Sequence, residues 1–160
     1  MAALDKRGDW PIRAAEVADA ATIGRLLHDF NREFDEPTPA PGELSRRVAS
    51  LLGGGELTVL LGGAGPDGLI ALRFRRAIWT RGLECYVAEL YVVPDRRGEG
   101  LGRSLMEAAL EAARERGADH IDLNTSDADV AARALYESLG FDRHEGRRDG
   151  PLAYYYEREL

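Results

Sequence analysis

The sequence predicts an α+β fold: a central mixed, mostly antiparallel sheet of six to seven strands flanked by about four helices. Between Leu57 and Val93, three apolar, β-branched runs are separated by tight turn signals, the pattern of an antiparallel meander. From Glu84 to Asn124, a strand, a helix and a second strand follow one another over a length that implies a right-handed crossover. That makes the two strands parallel neighbours. Helical stripes of apolar residues lie before, between and after these strands.

The composition fits one globular domain. At 160 residues the chain is read as a single domain, 1–160, able to bury about two thirds of its unfolded surface. Its 44% apolar and 31% charged residues are ordinary for a soluble protein. With 21 Lys and Arg against 28 Asp and Glu, the net charge is −7. That argues against a nucleic-acid partner and favours either a cationic small molecule or simply solubility. No stretch approaches the ~20 apolar residues of a membrane span, and no N-terminal run resembles a signal peptide. No membrane partner is expected. Cys85 is the only cysteine, so no internal disulfide or thiolate metal cluster is expected, and a reducing cytoplasm suits it. His28, His120 and His144 share no metal-ligand spacing, and no metal is expected.

Taken in order, Met1–Asp9 is polar and expected to be loose, and Trp10–Arg13 suits a short strand. Asp19 is placed to cap a helix whose Ile23, Leu26, Leu27, Phe30 and Phe34 recur at helical spacing. Glu36-Pro-Thr-Pro-Ala-Pro41 ends it as a proline-stiffened loop. A second helix carries Leu44, Val48, Leu51 and Leu52 inward and stops at Gly53-Gly54-Gly55. Strands follow at Leu57–Leu61, Leu69–Ile78 and Glu84–Val93, with turns at Gly65-Pro-Asp-Gly68 and Thr80-Arg-Gly82. Leu101–Arg116 is a helix ended by Gly117, and Ile121–Asn124 is the parallel strand. Asp127 or Asp129 caps a last helix that stops at Gly140. Phe141–Glu145 and Leu152–Glu159 would close the sheet as a hairpin, with Tyr154, Tyr155 and Tyr156 mainly packing.

The chain is organised around Ala88–Gly102, which runs from an apolar strand through Pro94 and a basic, glycine-rich turn into a helix. Glycines let several backbone N–H groups converge, and the helix N-terminus adds positive potential, so the turn is an anion site. Arg97 and Arg103 bracket it. A Walker loop and a dinucleotide fingerprint both fail on spacing, since Arg103 stands where each needs another residue. Arg97, Gly100 and Gly102 instead fill the pattern Arg/Gln-x-x-Gly-x-Gly. Further on, Asp129-Val-Ala-Ala-Arg-Ala-Leu-Tyr-Glu-Ser-Leu-Gly-Phe141 fits Asn-x-x-Ala-x-x-Leu-Tyr-x-x-x-Gly-Phe, apart from its first residue. In these two signatures and their separation the sequence resembles the GCN5-related N-acetyltransferases, the GNAT family, over roughly Leu69–Phe141.

The resemblance implies a splayed, V-shaped cleft between the central strand and the strand at Ile121–Asn124, with acetyl-CoA in it. The backbone of Leu90, Tyr91 and Val92 would pair with the pantetheine amides. Arg97, Gly98, Glu99, Gly100, Leu101, Gly102, Arg103 and Ser104 would hold the pyrophosphate. Tyr136 occupies the position of the family's general acid, and Val92 N–H is the oxyanion donor. Glu89, inside an otherwise apolar strand, is the candidate base, since burial would raise its pKa toward a working range. Asn124 stands where some relatives place a glutamate, so it suits a hydrogen bond to cofactor or acceptor. Asp129 replaces the signature's asparagine and loses an amide donor.

The resulting reading is an acetyl-CoA-dependent N-acetyltransferase acting on a primary amine of a small molecule or peptide. A transferase using another acyl-CoA, or a non-catalytic acyl-CoA-binding or regulatory module, is the alternative. A homodimer through exposed strands is compatible with it. The acidic pair Asp35-Glu36, beside the proline loop, points to an acceptor that is cationic before it reacts.

Overall fold

In the computed structural model, residues 9–160 are described, so most of Met1–Asp9 lies outside the described part. The chain forms two compact units, one up to Asp122 and one from Leu123 onward.

The first unit holds a five-stranded sheet, two fewer strands than the upper expectation. Its strands are β1 (Ile12–Ala14), β2 (Thr58–Gly62), β3 (Gly68–Arg76), β4 (Leu83–Val92) and β5 (Ala118–Asp122), in that spatial order. All neighbours are antiparallel except β4 and β5, which are parallel and joined through a helix as the sequence implied. Three helices accompany the sheet: α1 (Ala20–Glu33), α2 (Pro41–Gly53) and α3 (Leu101–Glu115). Directly opposed residues of an antiparallel pair share a face, which fixes what each helix covers. Leu69, Ala71 and Tyr91 lie on one face and join a buried cluster with Ile23 and Leu26 of α1 and Val48 of α2. On the other face a Cβ at Gly62 would come within 2.7 Å of Leu101, and one at Gly68 within 3.1 Å of Leu105. Here Leu101, Leu105, Met106 and Ala109 of α3 seal Ile70 and Leu72 completely. Helices thus sandwich the sheet.

Asp19 does not cap α1 with its side chain. Its carboxylate instead accepts from both Nη groups of Arg13, at 2.8 and 2.9 Å, and from Glu16 N–H. This holds its pKa down at about 2. The strand expected to reach Ile78 stops at Arg76, and Ile78 and Trp79 stand 86% and 91% exposed at the hairpin tip.

The second unit contains α4 (Val130–Ser138). Asp129, not Asp127, caps it, accepting from Ala132 N–H at 3.1 Å. The closing hairpin is only begun. His144 and Leu152 form one isolated bridge, flanked by Glu145 N–H to Pro151 O and Ala153 N–H to Arg143 O. Pro151 has no N–H to extend the ladder, and the six and seventh strands are not formed. Tyr154, Tyr155 and Tyr156 are therefore not packing residues: they are 74%, 62% and 85% exposed.

Candidate active site

Pairing between β4 and β5 runs from Leu83–Ala118 to Tyr86–Asp122 and then ends. From Val87 to Val92 the strand keeps β3 on one side and, among the described residues, pairs with no strand on the other. That open edge carries Leu90, Tyr91 and Val92. Backbone groups on such an edge are free to pair with an extended, amide-bearing ligand, as an added strand does.

A β-bulge sits at the same place. Leu72 opposes Val87 and Ala71 opposes Glu89, so Ala88 is the extra residue. The extra residue shifts the alternation of β4 by one. Without it Glu89 would share a face with Val87, toward α3. With it Glu89 shares the face of Ala71 and Tyr91, toward α1 and α2. The bulge therefore decides which way the carboxylate points.

The loop after β4 forms a short turn at Pro94–Arg96, then Gly98 and Gly100 adopt φ of +75° and +88°. A Cβ at either would meet nothing within 4 Å, so the backbone faces open space there. The first N–H groups of α3, including those of Leu101 and Gly102, point out of the helix end. Arg103 and Ser104 lie in that first turn, with Ser104 N–H bonded to Gly100 O. An exposed nest of N–H groups at a helix N-terminus fits a pyrophosphate. Trp10 ties the loop from outside: its Nε1–H donates to Glu99 O at 3.0 Å.

Arg97 is engaged in a way the sequence did not show. Its Nη groups grip both oxygens of Glu33 on α1, at 2.5 and 2.8 Å, and its Nε–H donates to Val92 O at 2.9 Å. The guanidinium lies 5.7 Å from the Tyr91 ring centre, and that ring stacks on Phe30 at 5.0 Å. Arg97 holds the pKa of Glu33 below the ordinary carboxylate range, and burial raises that of Tyr91. The Glu33 charge also acts on the Tyr91 phenol and adds to the rise in its pKa. Glu33 lies 64 residues from Arg97, and no local pattern marks it.

Glu89 is exposed, yet burial pushes its carboxyl pKa up, with no neighbouring charge opposing. The two facts fit a side chain on a concave wall, reached by water from one side only. In the second unit, Tyr136 of α4 stands edge-on to Phe141 with ring centres 6.1 Å apart. Burial first, and then Asp129, push its phenol pKa up to about 12. Asn124 is exposed and follows the end of β5 instead of lying in a strand, because β5 stops at Asp122. Asp129 spends its Oδ1 on the α4 cap. Among the described residues no cluster suited to a metal ion occurs, and no helix is long and apolar enough to cross a membrane.

This fold, with its sheet opened beside a glycine loop at a helix start, is that of the acyl-CoA-dependent acetyltransferases. The chain belongs to the acetyltransferase (GNAT) family, whose model matches residues 25–141. Acetyl-CoA is the co-substrate of that family. A mycothiol acetyltransferase of Thermobispora bispora is 38% identical over 138 residues, 82% of this chain and 41% of the relative. The chain thus spans less than half the length of that relative. A [ribosomal protein bS18]-alanine N-acetyltransferase of Escherichia coli is 38% identical over 66 residues, 41% of this chain and 45% of the relative. The crystal structure of a protein from Arthrobacter sp. FB24, provisionally described as an acetyltransferase, superimposes with a TM-score of 0.86 at 43% identity. It covers 94% of this chain and 96% of its own.

Proposed function

We propose that residues 1–160 act as one domain that transfers an acetyl group from acetyl-CoA directly to a primary amine. The observation that carries this is the bulge at Ala88. One extra residue aims Glu89 away from α3 in the stretch where β4 has lost its β5 neighbour.

Leu90, Tyr91 and Val92 present the backbone edge for the pantetheine arm, and Gly98, Glu99, Gly100, Leu101 and Gly102 present N–H groups for the pyrophosphate. Arg103 and Ser104 complete that site from the first turn of α3. Arg97 serves it through loop shape, since its charge is already matched by Glu33. Asn124 and Asp129 contribute polar contacts near the cofactor. When bound, acetyl-CoA supplies an acyl group activated by a stable thiolate leaving group. Glu89 takes one proton from the incoming ammonium, whose nitrogen forms the N–C bond as the C–S bond breaks. The second proton that this nitrogen sheds on becoming an amide replaces the one that Tyr136 gives up. Val92 N–H meets the charge developing on the acyl oxygen. Tyr136, protonated throughout the neutral range, gives its proton to the sulfur.

The relatives named above are, by their names, a mycothiol acetyltransferase and a ribosomal-protein alanine N-acetyltransferase, so small-molecule and peptide amines both fit. A reducing cytoplasm suits Cys85, buried and with its thiol pKa pushed up by burial to about 11. The test is release of free thiol from acetyl-CoA on adding an amine library, with Gly100→Val as the blank. A φ of +88° excludes a β-branched residue without strain, so coenzyme A binding and thiol release should both vanish in that variant. Acetyl-CoA binding with no thiol release from any amine would favour the binding-module alternative.

A further inference from the structure

The face that bears Glu89 continues beyond the helices. Along β3 it carries Ala71, Arg73 and Arg75; across β4 it carries Glu89, Tyr86 and Glu84; on β5 it carries Asp122. Near Leu69 and Ala71 this face is sealed by α1 and α2. Below Ala71 it opens: Arg73 and Arg75 are exposed, and Glu84, Tyr86 and Asp122 are half-buried. Arg73, Tyr86 and Asp122 form one row across three strands, each directly opposite the next.

One side chain and one carboxylate oxygen in this row lack a hydrogen-bond partner among the described residues. Arg75 is satisfied by Glu84 at 2.5 Å, but Arg73 has no ion pair or side-chain hydrogen bond among the described residues. Asp122 Oδ1 is buried and has no hydrogen-bond partner among the described residues. Glu89 is the third unpartnered group, one pleat from Arg73 on the same face. Diagonal neighbours of a sheet stand about 7–8 Å apart at Cβ, within joint reach of long side chains. Arg73 and Glu89 are thus diagonal neighbours on one face, and Asp122 ends the row that starts at Arg73.

We propose that Arg73 binds an anionic group on the acceptor, so that the preferred amine also carries a carboxylate or a phosphate. The proposal rests on the reading of Glu89 as the base and adds the chemistry beside it. The ammonium of such a zwitterion would face Glu89, with Asp122 adding negative potential, while its anion takes the guanidinium in bidentate fashion. A purely cationic polyamine would instead meet Arg73 as a like charge. Arg73 would then be a specificity-determining residue, without a part in proton transfer.

The experiment compares amines that differ only in the anion: amino acids against their carboxamides, and O-phosphoethanolamine against ethanolamine. Thiol release is followed in the wild type, Arg73→Gln and Arg73→Lys. The wild type should favour the anionic member of a pair by about tenfold to a hundredfold in kcat/KM. Arg73→Gln should lose that preference through KM, with kcat and coenzyme A affinity kept, and Arg73→Lys should keep part of it. Whichever of carboxylate and phosphate shows the larger ratio is the anion the site reads. Equal use of both members by the wild type, or a preference that survives Arg73→Gln, overturns the role of Arg73 alone. Absence of thiol release from every amine by a wild type that still binds acetyl-CoA overturns the transferase reading as well.

Discussion

Two carboxylates flank the same face of the sheet and are treated in opposite ways. Glu33, at the end of α1, is gripped on both oxygens by Arg97, so its pKa is held low. Glu89, on β4, has no such partner, and burial drives its pKa up. The first is fixed as a permanent anion in a structural clamp, and the second is left able to take up a proton. The upper end of β4 is thus tied to α1, whereas its middle carries a carboxylate that no cation holds among the described residues, as the proposed base requires. A base at the tied end would hold no proton in the working range, and a clamp at the free end would hold nothing.

The largest effect should come from removing the proton acceptor. Glu89→Gln keeps the size of the side chain and should lower kcat by roughly 10²–10³-fold, the lower part of the span for general base help. The sign of the pH effect follows from the direction of the shift. A base must be ionised to work, and burial raises the pKa above the usual value of about 4.3. Activity in the wild type should therefore fall on acidification sooner than for an ordinary carboxylate, and that limb should be missing from Glu89→Gln. A variant keeping both wild-type rate and limb would put the base elsewhere.

Tyr136→Phe comes next. Its phenol, with a pKa of about 12, is a protonated donor at neutral pH. Coenzyme A thiolate leaves readily, so the loss should be near 10²-fold in kcat with coenzyme A affinity unchanged. Wild-type turnover would return Tyr136 to a packing role against Phe141.

A double-mutant cycle sharpens the comparison at the tied end. Glu33→Gln and Arg97→Gln should each weaken coenzyme A binding by about threefold to tenfold, and the double variant should be no weaker than either. Both changes break the same clamp. Were Arg97 acting by charge on the pyrophosphate, releasing it with Glu33→Gln would tighten binding instead.

Much of this was legible in the sequence because its signals are local. The glycine loop, the meander and the Asp129 cap each rest on residues within a few positions of one another, where spacing speaks directly. What stayed hidden depends on register and distance. Glu89 was singled out as a polar residue in an apolar strand, but the Ala88 bulge that aims it is invisible without knowing what opposes Ala71. Glu33 carries no local signal, since its partner lies 64 residues along the chain. The closing strands do not form because Tyr154–Tyr156 have strand propensity but no neighbouring ladder beyond one bridge.

The smallest effect belongs to the acidic pair after α1. Asp35 and Glu36 line an open groove of about 280 Å³ together with Arg32 and Pro37. Arg32 offsets one of the two negative charges. A single net charge beside an open, water-filled groove steers a cationic amine only weakly. Asp35 adopts a φ of 54°, a left-handed conformation that asparagine also tolerates, so Asp35→Asn adds no strain. The double change Asp35→Asn with Glu36→Gln should therefore raise the acceptor KM by only about twofold at low salt, with kcat kept. The difference should close as the screening length shrinks to about 8 Å at physiological ionic strength and to about 3 Å at 1 M. A rise of tenfold or more that persists at 1 M salt would mean that these carboxylates touch the acceptor. The comparison would then have to be redrawn, with the acceptor's charge read at the end of α1 as well as beside Glu89.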